Sequence, residues 1–344
     1  MLEVLANGGR AGLSDEQLLA LYRLMRRVRA LDQEAVNLQR QGELTAYAPL
    51  SGQEACQVGS AYALAPGDFA FPSYRELGVA VTRGVDVGAY LLAYRGIWHG
   101  GMHDPLAQNV APFASPVGSH LLHAVGWAMG RRKDGATDCS IVYFGEGATS
   151  EGDALEAFNF AGVFKAPVVF FCQNNQWAIS VPLEKQTAAP VWRKAEAFGF
   201  PGVRVDGNDV LAVYQATREA LARGRDEGTP TLIEALTYRV GPHSTADDPS
   251  RYRHRDEVER WRRRDPIDRY RRFLEGESLA AAAFFDEVEA EIGGELVELR
   301  RQIGAGRPVP LDDLFRFTFA ELTPDLERQL AEARALQEGE ADSA

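Results

Sequence analysis

The sequence predicts an α/β protein with a mostly parallel central sheet flanked by helices. Two short apolar runs, Cys139–Phe144 and Val168–Cys172, read as strands buried on both faces, the signature of parallel sheets. Between them residues 150–164 carry a helical pattern, so the stretch is a βαβ unit of about the usual size, roughly 30 residues. Further βα units follow at 201–221 and 231–237 with no shift in composition to mark a linker, so residues 1–344 are read as one domain.

With 344 residues, 45% hydrophobic and 25% charged, the chain is ordinary globular protein with enough length for a sizeable core. Its net charge of −12 argues against nucleic acid or an anionic membrane as a partner. An anion-binding site in such a chain must draw its field from a few placed cations. Cys56, Cys139 and Cys172 are widely spaced, with no Cys-x-x-Cys pair, and read as reduced core thiols of a cytoplasmic protein. No run of 18 apolar residues occurs, and Met1–Leu13 has neither a signal h-region nor a basic transit character.

Taken in order, residues 1–45 form a helical arm. Ser14-Asp-Glu-Gln17 is a capping box, and Leu18, Leu21, Leu24, Met25, Val28, Leu31 and Ala35 line one helical face through Gln41. Arg23, Arg26, Arg27 and Arg29 read as its solvated or interface side. Ser51-Gly-Gln-Glu-Ala55 opens a second helix to about Leu64, stopped by Pro66-Gly67. Phe69–Phe71 is a strand with Tyr74-Arg75 at its end, where a guanidinium can fork onto phosphate or form a surface ion pair.

Gly96–Pro116 has no periodicity and reads as a loop. His99 and His103 have metal-like spacing, but the two glycines between them argue against a helix presenting both rings. Ala114–His120 leads into a helix to Arg131, where His120 and His123 suit packing or capping.

After the first buried strand, Gly145-Glu146-Gly147 forces a tight turn. Thr149 or Ser150 is the expected N-cap of the next helix, with Leu155, Phe158 and Gly162 on its buried face. Pro201–Val205 is a strand, and Asp206–Asp209 turns into a helix whose apolar face includes Val210, Val213, Tyr214 and Leu221. Thr231–Thr237 is a strand. Tyr238–Arg253 is a polar loop whose His243, just beyond a strand, can titrate near a ligand. A helical region covers about 255–336, broken at Asp265-Pro266, and 337–344 are expected to be a disordered tail.

The topology gives two of these residues a shared place. Glu146 and Asn175 each lie just past the C-terminal end of a neighbouring strand, where open α/β sheets bind ligands. Backbone N–H groups of the Gly145–Gly147 turn, at a helix N-terminus, suit a phosphate. A carboxylate and an amide oxygen beside a diphosphate make a Mg²⁺ site, since Mg²⁺ takes hard oxygen ligands and shares them with substrate phosphates.

Gly-Glu-Gly followed 29 residues after Glu146 by the second Asn of Asn174-Asn175 resembles the thiamine diphosphate (TPP) signature. From about Ser14 to Ala320 the chain resembles the alpha subunits of branched-chain 2-oxo acid dehydrogenases, most clearly in Tyr143–Ser180, Arg204–Val210 and Tyr238–Arg253. Pyruvate dehydrogenase alpha subunits share the cradle, while Gly145–Gly147, Ser150–Asp153 and His243–Asp248 lean to the branched-chain type.

The resemblance implies a thiamine diphosphate-binding fold, with TPP and Mg²⁺ as cofactors. It implies Mg²⁺ on Glu146, Asn175 and the Trp177 carbonyl, and the diphosphate on Tyr74 and Arg75. Ser115, Gly145, Gly147, Ala148, Ala178 and Ile179 would complete the cofactor site, and Val117 would be the wedge that bends TPP. A K⁺ ion would be wrapped by Ala114, Pro116, Ser119 and His120. His243 would be catalytic, steering the substrate carboxylate or moving protons in acyl transfer. Ser244 matches a serine phosphorylated in mitochondrial relatives; here it reads as a loop hydroxyl. Gln173 departs from the pattern, standing where some relatives place a diphosphate-binding Arg.

The implied activity is oxidative decarboxylation of branched-chain 2-oxo acids with acylation of the lipoyl domain of a dihydrolipoyl acyltransferase. An acid needed at the cofactor's pyrimidine ring would come from a beta subunit in an α₂β₂ heterotetramer. The alternatives are a pyruvate or acetoin dehydrogenase alpha subunit, and a TPP-binding regulatory subunit without turnover.

Overall fold

Strict alternation within the central strands divides the interior into two cores, one on each face of a parallel sheet. The computed structural model describes residues 1–96, 103–305 and 310–341. Its strands are β1 (Phe69–Phe71), β2 (Ser140–Gly145), β3 (Val168–Asn174), a hairpin of β4 (Trp177–Ala178) and β5 (Val181–Pro182), β6 (Gly202–Asp206) and β7 (Thr231–Leu236). The five-stranded sheet runs β1-β2-β3-β7-β6, all parallel. Among the described residues the α-helices of eight or more residues are α1 (Asp15–Arg40), α2 (Glu54–Tyr62), α3 (Ser119–Lys133), α4 (Gly152–Phe164), α5 (Val210–Glu227), α6 (Arg255–Arg262), α7 (Pro266–Gly276), α8 (Ala282–Gly304) and α9 (Pro324–Ala341).

Ile141, Tyr143, Val169, Phe171 and Ile233 face one way and join the core under α1, α2 and α5. Val142, Phe144, Val168, Phe170 and Cys172 face the other way, under α3 and α4. All three cysteines are buried free thiols. The β6 edge is covered by the N-terminal segment, where Leu2 bridges Val205 and the Asp209 carboxylate accepts from the Val4 and Leu5 N–H groups at 2.7 and 2.8 Å. This blunts an edge that would otherwise template association.

The first helix follows its sequence signals. Ser14 and Gln17 close the capping box reciprocally. Its arginines, expected on a solvated or intermolecular side, are instead engaged within the chain. Arg23 pairs with Glu287 and Glu291, Arg26 with Glu289, and Arg27 with Glu295, all on α8. The acidic face of α8 lies more than 260 residues away in sequence, so nothing local announces the match.

Arg29 bridges Asp265 at 2.9 Å and Glu54, whose side chain is fully buried. Removing this guanidinium strands a buried carboxylate, and Arg29→Met is expected to cost about 3–5 kcal/mol of folding stability. Equilibrium denaturation measures it; a loss under about 1 kcal/mol would class the bridge with ordinary surface pairs.

Several boundaries differ from expectation. Helix α2 spans Glu54–Tyr62 rather than 51–64, and β6 includes Asp206. Helix α4 is capped by Glu151, with no side-chain cap, because Glu146–Ser150 coils first into a 3₁₀ turn. The Thr149 hydroxyl donates back to the Glu146 carbonyl at 2.7 Å, so it serves that turn. Leu155 is exposed, and the buried stripe of α4 is Ala154, Ala157, Phe158 and Ala161. Gly162 does pack inward: a Cβ there would meet the Phe198 carbonyl at 2.2 Å. Helix α9 continues to Ala341, so 337–341 are helical where disorder was expected, in keeping with the strong helix formers Leu336, Gln337, Glu338 and Ala341. His99, and with it the His99–His103 pair, lies outside the described residues; the His103 Nε2 lies 2.7 Å from the Val110 carbonyl oxygen.

Candidate functional site at the strand ends

The β2–β3 register sets Gly145 opposite Gln173, so the chain leaves both strands at one level of the sheet. Glu146 and Asn175 therefore emerge side by side. Glu146 is 2% exposed, and its Oε2 accepts from the Asn175 N–H at 3.1 Å. Its Oε1 is buried with no hydrogen-bond partner among the described residues. Burial pushes the carboxyl above its usual range. The Asn175 Oδ1 accepts from the Trp177 N–H at 3.3 Å, and its Nδ2 donates to Gln53 Oε1 at 3.2 Å.

The β4–β5 hairpin closes over this pair. Gln176 and Ile179 sit at φ 75° and 56°, a conformation side chains rarely adopt. A Cβ on Gly147 would lie 2.7 Å from the Cβ of Ala178, so turn and hairpin meet in contact that only glycine allows.

A cleft opens above them. The expected Tyr74, Arg75, Val117, Gly145, Glu146, Gly147, Ala148, Asn175, Trp177, Ala178, Ile179 and His243 all line it, as do Ala114 and His120. Ser115, Pro116 and Ser119 do not. The Ser119 hydroxyl donates to the Pro116 carbonyl at 3.2 Å, and the His120 Nε2 lies 2.7 Å from the Tyr143 carbonyl oxygen, holding the ring against β2.

Arg75 is buried and aimed by backbone: its guanidinium donates to the Pro49 carbonyl at 2.6 Å and the His243 carbonyl at 2.9 Å. The same group lies 3.1 Å from His243 Nδ1. A guanidinium only donates, so Nδ1 is the acceptor and the neutral ring carries its proton on Nε2. Burial first, then Arg75 and Arg239, push His243 down to about 4. The ring is neutral at pH 7. The Asp247 carboxylate accepts from the His243 N–H at 2.8 Å and from the Tyr252 hydroxyl, pinning the loop.

Three contributors escape sequence reading. Gln53 reads in the sequence only as part of a helix start. Glu76 is 1% exposed and lines the cleft. Arg239 is fully buried, donates to the Ile179 carbonyl at 2.9 Å, and leaves Nε and Nη1 without partners. Burial, then the like charges of Arg75 and Arg253, push it down to about 10, so it remains cationic. The available signal was its place two residues past a buried strand. Together these arginines supply the local positive field that an acidic chain needs to hold an anion. Among the described residues no three His, Cys, Asp or Glu side chains converge on a common point.

Fold and cleft together define the class: a parallel α/β protein with a polar cleft at the carboxyl ends of two central strands. The family pattern described as "Dehydrogenase E1 component" matches residues 22–302. The chain is 49% identical over 324 residues to the 3-methyl-2-oxobutanoate dehydrogenase subunit alpha of Mycobacterium tuberculosis, covering 94% of this chain and 88% of that one. It is 45% identical over 269 residues to a pyruvate dehydrogenase E1 component subunit alpha of Staphylococcus aureus, covering 78% and 72%. With that of Acholeplasma laidlawii the identity is 38% over 330 residues, 95% of each. The chain belongs to the dehydrogenase E1 component family.

Proposed function

We propose that the chain is the alpha subunit of a branched-chain 2-oxo acid dehydrogenase that uses TPP and Mg²⁺. In this reading it decarboxylates a branched-chain 2-oxo acid oxidatively and acylates the lipoyl group of an acyltransferase partner. The observation that carries the reading is the Glu146 Oε1, buried beside Asn175 with no partner of its own. An unsatisfied buried carboxylate oxygen costs stability unless a cation completes it. One carboxylate, one amide oxygen and the Trp177 carbonyl suit Mg²⁺ that shares a diphosphate.

Bound TPP supplies the electron sink for loss of CO₂. The chain supplies the rest. Glu146, Asn175 and the Trp177 carbonyl would hold the metal. Tyr74, Arg75 and the Gly145–Ala148 turn would hold the diphosphate, and Val117 would set the cofactor's bend. K⁺ in the Ala114–His120 loop would take the Pro116 carbonyl and the Ser119 hydroxyl. His243, neutral with Nε2–H free of the Arg75 contact, would orient the substrate carboxylate and move a proton during acyl transfer. His243→Ala is accordingly expected to bind TPP normally and to lose acylation of a lipoyl domain by about 10²–10⁴-fold. Unchanged acylation would retire that role.

The cytoplasm as location follows from the sequence reading, and no helix among the described residues is long and apolar enough to cross a membrane. Branched-chain preference rests on the Mycobacterium tuberculosis relative, and the Staphylococcus aureus relative supports pyruvate as a second reading. Turnover of a panel of 2-oxo acids and acetoin by the chain with its beta subunit decides between them. No turnover of any, with TPP still bound, would favour a regulatory subunit.

A further inference from the structure

One carboxyl at the cleft has no part in the function proposed above. Glu76 follows Arg75 in the segment after β1, and its Oε1 accepts from Gln173 Nε2 at 2.7 Å. Its Oε2 is buried, with the Ser73 hydroxyl beside it. The Gln173 Oε1 in turn accepts from Gln57 Nε2 at 3.1 Å, and the Gln57 Oε1 accepts from the Gly78 N–H at 2.9 Å. This fixes the sense of the chain of amides. Gln173 spends its oxygen on Gln57 and one N–H on Glu76, and retains one N–H. Both Gln173 and Glu76 line the cleft, two and three positions respectively from Asn175 and Ser73.

Among the described residues no cation bonds to Glu76. The Arg75 guanidinium makes its hydrogen bonds to Pro49 and His243 and acts on Glu76 only through space. The other groups facing Glu76 are the Ser73 hydroxyl and the phenols of Tyr90, Tyr94 and Tyr143, none of them cationic. An ionised carboxylate here would be buried without a counter-ion, next to the place assigned to a diphosphate. Both conditions favour the neutral acid. Burial indeed raises this carboxyl above its ordinary value, against the smaller opposing pulls of Ser73, Gln173 and Arg75.

We propose that Glu76 is a positioning residue that remains protonated in the TPP-bound protein, held so by the neutral chain Gln57–Gln173–Glu76 at the end of β3. The spare Gln173 N–H and the Glu76 O–H then act as hydrogen-bond donors to the diphosphate. An arginine at position 173 would reach the same carboxyl and ionise it, whereas an amide leaves its proton in place. This rests on the TPP reading of the cleft.

Infrared difference spectra of the full chain with and without TPP and Mg²⁺ test it, alongside calorimetric TPP titrations. The wild-type complex is expected to show a protonated-carboxyl C=O band that shifts in ²H₂O and is absent from Glu76→Gln. Because glutamine keeps a donor, Glu76→Gln is expected to bind TPP within about threefold of wild type. Gln173→Arg, which pairs Glu76 with a guanidinium, is expected to erase the same band while TPP still binds. A wild-type complex without such a band, a band that persists in Glu76→Gln, or affinity lowered about tenfold or more in that variant would overturn the proposal and leave the TPP reading standing. Failure of the wild-type chain to bind TPP would overturn both.

Discussion

Asn175→Ala and Glu146→Ala are each expected to abolish Mg²⁺-dependent binding of TPP while the chain stays folded. Each removes one hard oxygen from a site with few protein ligands. Changes in groups that merely orient metal ligands cost about 10–100-fold in affinity, so loss of a ligand is expected to cost about 10²-fold or more. The two variants differ in a second respect that separates metal binding from folding. Glu146→Ala removes a buried oxygen with no partner among the described residues but also the acceptor of the Asn175 N–H, two effects that oppose each other in the ligand-free chain. Its thermal midpoint without ligand is therefore expected to stay close to the wild type's. The rise in midpoint that saturating TPP and Mg²⁺ give the wild type, worth about 2.7 kcal/mol at a hundredfold excess over Kd, is expected to vanish. Calorimetry and thermal melts measure both, and near-normal affinity in both variants would show that the cradle is misassigned.

How much of this site could be read in advance depends on whether its parts are local. The βα turn of Glu146 and the Asn-Asn pair at the end of β3 are short-range patterns, and the sheet register brings them together as the sequence predicts. The capping box of α1 is equally local and forms as written. Arg239, Glu76 and Gln53 were not legible, because each acquires its meaning from a partner on another element. Arg239 meets the hairpin at Ile179, Glu76 meets Gln173 across β1 and β3, and Gln53 meets Asn175. The same limit explains the arginines of α1, whose acidic partners are all on α8. The α4 stripe was misplaced for a subtler reason. The 3₁₀ turn at Glu146–Ser150 shifts the helix start, and small alanines, not Leu155, take the face against the sheet.

That displaced stripe bears on the largest expected effect. Leu155, Phe160, Val163 and Phe164 are exposed on α4, with Phe160 and Phe164 in ring contact at 5.6 Å. At the cleft itself, Val117 and Ile179 are also about half exposed. Clustered apolar groups of this kind mark a surface that another chain covers. The carboxyls that line the cleft point the same way. Glu146 belongs to the proposed metal cradle, Glu76 to the amide chain, and Glu151 is exposed at the start of α4. None is left for the acid that the proposed TPP chemistry needs at the pyrimidine ring, so a beta subunit is expected to bring it. The purified chain alone, at saturating TPP and Mg²⁺, is therefore expected to show no decarboxylation of 2-oxo acids, and addition of the beta subunit to restore it as an α₂β₂ assembly. Phe160→Asp with Val163→Asp, on the α4 face, is expected to weaken that assembly while TPP binding by the chain is retained, since neither residue lines the cleft. Steady-state turnover and light scattering across a beta-subunit titration read both effects. Substantial turnover by the chain alone, with a contaminating partner excluded by mass spectrometry, would overturn the shared site.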